Sequence, residues 1–148
     1  GVFFSLWVGS KMGWYVDIDN QVLESKKNAD GSYTYKMQTT FTDTVSSEEI
    51  ASGGEYIIGD IYDYEYGILY PCLYIYAPAG GSISNLESNS SVAFEEARHD
   101  GLQAFKAWRT VLRPDQPIVC TYTVTTAPNA SQEMKIVCTP TLTEYRAG

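Results

Sequence analysis

The chain has 148 residues, 44% of them hydrophobic and 19% charged, enough for one compact domain with a core and too few for two. Ten Lys and Arg against 18 Asp and Glu give a net charge of -8, which repels a phosphate backbone and sets nucleic-acid binding aside. The longest nearly apolar stretches, 1–8 and 68–79, fall far short of the roughly 20 residues that a membrane-spanning helix needs. The sequence opens on Gly1 with no basic segment ahead of an apolar one, and reads as a single domain, 1–148, excised from a longer chain.

Period-two alternation recurs along the chain, the mark of half-buried strands. Val2 to Val8 is a first apolar strand, and Gly9 to Gly13 a connection. Tyr33, Tyr35, Met37, Thr39 and Phe41 share one face of a second clear strand. Asn28, Ala29, Asp30 and Gly31 precede it, and Asp-Gly supplies the positive φ of a tight turn, so Tyr15 to Lys27 is expected to pair back as a hairpin. Within it, Asp17 and Asp19 share a face and, with Asn20 and Asp30, are weighed as ligands for a hard cation against the plainer reading of an exposed strand end. After Thr44, Ser46 and Glu49 have capping-box spacing and Gly53 suits a helix end, which predicts one short helix.

Gly67 to Pro78 is nearly all aliphatic and aromatic, the composition of a central strand buried on both sides. Ala79 to Ser91 is rich in Gly, Ser and Asn and reads as a surface loop. In 94–112, Leu102, Phe105 and Trp108 recur at helical spacing, while Ala104, Trp108 and Leu112 suit a strand face. Gly101 would weaken a helix by about 1 kcal/mol relative to Ala, so a strand over 102–112 is preferred. Arg113 to Pro117 is a turn, and two further alternating runs, around Cys120 and Cys138, are expected to form a last hairpin centred on Asn129. The sum is an all-β fold, an immunoglobulin-like antiparallel β-sandwich of about seven strands with one short helix.

Few residues carry chemistry. The single histidine, His99, lies between Arg98 and Asp100 in a polar turn, and there is no nucleophile motif, phosphate loop or dinucleotide fingerprint for it to serve. Three cysteines with one histidine cannot assemble a zinc site of the usual kind. The expected hairpin sets Cys120 opposite Cys138, a candidate disulfide whose alternative is two buried thiols acting as small hydrophobes. Cys72 reads as core. No cofactor is expected.

Between Lys36 and Arg98 there are ten acidic residues and no Lys or Arg, either a solubilising surface or a site for a cation or basic polymer. Inside that interval Tyr62, Tyr64 and Tyr66 alternate with Asp63 and Glu65, so an extended backbone puts the rings on one face and the acids on the other. Such a row is a platform for sugar rings or a protein partner, or simply a packed sandwich edge. A carbohydrate-binding module using this row is therefore the alternative to a noncatalytic structural module. A small carbohydrate-active enzyme is a third option, and needs two carboxylates roughly 5 to 10 Å apart in a groove.

The order of landmarks also resembles a known family. Gly9 to Val16 (Gly-Ser-Lys-Met-Gly-Trp-Tyr-Val), Leu73 to Gly80, Gly101 ahead of a strand, and the Leu112-Arg113-Pro114 turn before Val119 to Tyr122 are similar to the C-terminal β domain of a bacterial membrane-anchored cell-surface protein family, the domain-of-unknown-function family four-zero-one-two. Asp115 stands where that family commonly has glycine, and the three cysteines also depart from its pattern. The resemblance implies an extracellular, cell-surface module of a longer chain anchored by a membrane helix, partnered by cell-wall glycan or another surface protein, with no catalytic residues to carry over.

Overall fold

The computed structural model describes residues 4–11, 16–44, 62–63, 67–108, 110–128, 134–139 and 143–147. Twelve strands run through them: β1 Phe4–Lys11, β2 Val16–Lys27, β3 Tyr33–Asp43, β4 Tyr62–Asp63, β5 Ile68–Leu69, β6 Cys72–Tyr76, β7 Ser82–Ser88, β8 Glu95–His99, β9 Leu102–Ala107, β10 Ile118–Thr125, β11 Met134–Thr139 and β12 Thr143–Ala147. Ten of them make two sheets, ordered β12-β11-β1-β6-β9-β8 and β2-β3-β10-β7, and β4-β5 is a separate ribbon. The molecule is thus an all-β sandwich. All ladders are antiparallel except β1 with β11, which run parallel.

The core lies between the two sheets. Leu6 and Val8 of β1, Leu73 and Ile75 of β6, and Ala107 of β9 face Tyr35, Met37 and Phe41 of β3, Ile83 of β7, and Ile118, Cys120, Tyr122 and Val124 of β10. Each fully buried Leu, Ile or Phe contributes about 1.5–3 kcal/mol relative to exposure, so alternation along these strands fixes which face turns inward. Tyr35, Met37, Thr39 and Phe41 are buried as the alternation requires, and β2 pairs with β3 from Val16↔Asp43 to Lys27↔Tyr33. The connecting turn closes with the Gly31 N–H donating to the Asn28 carbonyl and the Asn28 N–H to the Ser32 carbonyl, with Gly31 at φ 86°.

Several expectations are corrected. The central run breaks at Pro71 into β5 and β6, and β6 is buried on one face only, leaving Tyr74 and Tyr76 half-buried on the other. Residues 82–88, read as loop, are the edge strand β7. Its alternation is disguised by a bulge: Asn85 and Leu86 together oppose Tyr122, and Asn85 takes the left-handed conformation at φ 54°. Residues 94–112 contain a hairpin, because Asp100 and Gly101 both have positive φ (51° and 79°), the geometry of a type I′ turn.

The strands around Cys120 and Cys138 do not pair with each other. β10 inserts between β3 and β7 in one sheet, and β11 lies between β1 and β12 in the other. These departures raise the strand count above about seven without changing the class. The helix expected after Thr44 lies outside the described residues, and no helix among those described is long and apolar enough to cross a membrane.

Candidate functional site

Large apolar side chains left in solvent are the first sign of a site, and three occur among the described residues: Trp108 is 62% exposed, Val111 49% and Leu23 45%. Two of the three fall together, immediately after β9. The chain there is pinned from below. Thr110 donates to the Pro71 carbonyl through both its backbone N–H (3.0 Å) and its hydroxyl (2.7 Å), and Leu112 exchanges both backbone hydrogen bonds with Leu69 at 2.9 Å. With Ala107, Thr110 and Leu112 held in the interior, the intervening Trp108 and Val111 are left outside.

These two residues form one side of an open cleft of about 500 Å³, which Ser90, Ser91, Val92, Ala93, Arg113 and Gln116 help to line. The 89–93 side is also fastened. The Asn89 N–H donates to the Val119 carbonyl (3.1 Å), Asn89 Oδ1 accepts from the Val119 N–H (2.9 Å), and Asn89 Nδ2 donates to the Pro117 carbonyl (3.1 Å). At the rim, the Gln116 N–H donates to the Arg113 carbonyl (3.1 Å) across Pro114 and Asp115, a β-turn in which proline presets the φ of the second position. The walls are therefore held by backbone and amide hydrogen bonds before any ligand arrives. Among the described residues of the lining, Arg113 is the one charged side chain and there is no Asp or Glu. A second groove of about 320 Å³, lined by residues including Leu86, Phe94 and Phe105, shares Val92 and Ala93 with the first.

The residues singled out in the sequence fare differently. Tyr62 and Asp63 form β4, in register with Leu69 and Ile68, while Tyr64, Glu65 and Tyr66 lie outside the described residues. An outward aromatic pair does exist elsewhere: Tyr74 and Tyr76 have ring centroids 5.3 Å apart, with Lys106 Nζ 5.5 Å above the Tyr76 ring. The run Leu73 to Tyr76 already held its signal, two aromatics two apart.

Cys120 is a free, buried thiol, in register with Thr39 and Ser88, so the hairpin that would have set it opposite Cys138 is absent. Burial pushes its pKa up to about 12, which leaves it uncharged and unreactive at neutral pH. Cys72 is likewise buried. The proposed cation ligands are separated: Asp17 and Asp19 are exposed on the outer face of β2, Asn20 Oδ1 accepts from the Thr39 hydroxyl (2.6 Å), and Asp30 Oδ1 caps the Ser32 N–H and hydroxyl (2.9 and 2.6 Å). The Ser32 hydrogen bonds hold the Asp30 carboxyl below its ordinary value. Among the described residues no group of three His, Cys, Asp or Glu side chains is placed to hold a metal ion.

Trp108 was ambiguous between helix and strand faces, and both readings made it a packed residue. Only the anchoring of Thr110 and Leu112, long-range in origin, turns it outward. No protein-family model matches the chain, and no curated protein or solved structure is significantly similar to it.

Proposed function

We propose that this chain is a noncatalytic structural or adhesion module of a bacterial cell-surface protein, working outside the cell. The observation that supports this most is the parallel ladder joining β1 to β11, from Phe4↔Met134 to Gly9↔Thr139. Tension between the start of one parallel strand and the end of its neighbour slides the two past each other, so every hydrogen bond in the ladder resists together. An antiparallel pair pulled from its open end instead gives way one bond at a time. β12 is such a pair, with Ala147 opposite Met134 at the end where pulling begins. A spacer that must hold an adhesive surface away from a cell under shear needs a clamp of the first kind.

The cleft beside Trp108 is compatible with the same reading, since the described residues of its lining include no pair of carboxylates of the kind glycoside hydrolysis uses. Single-molecule extension with handles joined at residues 4 and 147 tests the proposal. The expected trace is a low-force release of β12 followed by a separate high-force rupture of β1 from β11. Rupture in one low-force step would count against a load-bearing module.

A further inference from the structure

We infer that the cleft between Trp108 and the 90–93 segment is a binding site for an oligosaccharide carrying an acidic sugar, a hexuronate. An indole face is electron-rich, and the C–H groups on one side of a pyranose ring are weakly positive, so the two stack while the sugar hydroxyls stay free to hydrogen-bond. Trp108 supplies such a face, and its 62% exposure leaves it open to a ring. Around it stand the polar groups a sugar requires: the Ser90 and Ser91 hydroxyls and the Gln116 amide, each on a residue that lines the same cleft.

Size and rigidity agree with this assignment. About 500 Å³ falls within the roughly 300–1,000 Å³ typical of small-molecule sites. Both walls are fastened independently of any ligand, through Thr110 to Pro71 on one side and Asn89 to Val119 and Pro117 on the other, so little ordering cost falls on binding.

Charge selects the kind of sugar. The chain as a whole carries -8, yet the described residues that line this cleft include Arg113 and no carboxylate. A guanidinium accepts a planar carboxylate through paired hydrogen bonds, a geometry that neither a neutral sugar nor a cationic peptide uses. Arg113 opens the turn that Pro114 stiffens, and it lines the same cleft as Trp108.

The probes are a galacturonate trisaccharide and the neutral galactose trisaccharide of the same linkage, titrated into the intact chain by calorimetry and by amide and indole N–H spectra. Trp108→Phe identifies the Trp108 indole resonance among those of the three tryptophans. The expected result is that galacturonate shifts this resonance and binds about three- to tenfold more tightly than the neutral sugar. Trp108→Ala should abolish binding with an unchanged melting temperature, because the side chain is exposed, and Arg113→Gln should bring the two affinities together. No shift of the Trp108 resonance with either sugar at millimolar concentration overturns the inference. So do equal affinities in the unsubstituted protein, or binding that survives Trp108→Ala.

Discussion

Gln103 on β9 grips the backbone of Ile83 on β7: its Oε1 accepts from the Ile83 N–H at 2.8 Å and its Nε2 donates to the Ile83 carbonyl at 3.1 Å. β9 and β7 belong to different sheets, so one amide side chain stands in for a strand and bridges the open side of the sandwich. The same Nε2 also donates to Glu96 Oε1 at 2.6 Å, which orients the amide from the edge strand β8. Backbone groups on an edge strand are ordinarily a template for a foreign strand. Here Gln103 occupies them at Ile83, and the bulge at Asn85 breaks the strand two residues later.

Gln103→Ala should lower stability by about 1–3 kcal/mol, since it strips partners from two partly buried backbone groups at once. Gln103→Glu carries a pH signature that the alanine variant lacks. Its protonated carboxyl can still donate to the Ile83 carbonyl, whereas the ionised form can only repel that oxygen and Glu96. The introduced carboxyl therefore has a raised pKa in the folded state, and the stability it supports is present at low pH and lost as pH rises through that raised value. Melting temperatures at pH 4 and pH 7 check this: the gap between the glutamate variant and the unsubstituted protein should widen on going to pH 7. An equal gap at both would show that the amide's donor function is unimportant.

Acid should loosen the first hairpin turn. The Asp30 carboxyl is held below its ordinary value by the Ser32 hydroxyl and N–H, so its contribution is complete above the unfolded-state pKa and is lost as pH falls through the lower folded-state value. Asp30→Asn should accordingly lower the melting temperature at neutral pH and converge with the unsubstituted protein towards pH 2, so that the acid limb between pH 2 and pH 5 is flatter. A parallel displacement of the whole profile would refute the assignment.

A chain of hydroxyls runs through the core. Thr39 donates to Asn20 Oδ1 (2.6 Å), and because it has one hydroxyl proton, the 2.7 Å contact with Tyr122 has the tyrosine as donor. Tyr122→Phe should cost about 1 kcal/mol and Thr39→Val about 1–3 kcal/mol, the larger loss because the valine removes two hydrogen bonds, to half-buried Asn20 and buried Tyr122, where the phenylalanine removes one. The double variant should cost less than the sum, measured by urea denaturation in a double-mutant cycle. Strict additivity would mean that the two hydroxyls do not interact.

Thiol chemistry distinguishes folded from unfolded protein. With its pKa pushed up to about 12 by burial, Cys120 should resist iodoacetamide at pH 8 in the native state and be alkylated without any reductant once the chain is unfolded in urea. Peptide mapping by mass spectrometry reads both outcomes. Failure of Cys120 to alkylate in unreduced, unfolded protein would reveal a disulfide.

The sequence carried local information well and partner choice poorly. Asp30-Gly31 announced the first hairpin because only certain residues adopt the turn it requires, and β3 displayed its inward face residue by residue. Alternation around Cys120 and Cys138 likewise located two strands. It could not say which neighbours they take, since any apolar face satisfies the same pattern, and β10 and β11 went to different sheets. β7 escaped notice because the bulge shifts its inward positions from Ile83 to Leu86, an odd spacing that erases the period of two. Trp108 was visible as a residue but not as a site: its exposure depends on the Thr110 to Pro71 and Leu112 to Leu69 hydrogen bonds, between segments about 40 residues apart.

The order of strands also sets when this protein can acquire its fold. Among the described strands β7 finds a ladder only with β10, and β1 needs β11 on one side, so both sheets wait for segments from the last third of the chain. A nascent polypeptide emerging from the ribosome can form the β2–β3 and β8–β9 hairpins early, yet neither sheet is complete until β10 and β11 have been made. Pairings this distant in sequence also close slowly, on the order of milliseconds to seconds for all-β topologies. Folding is thereby postponed, and the partly made chain keeps the apolar faces of β1 and β3 without their cover until β10 and β11 arrive.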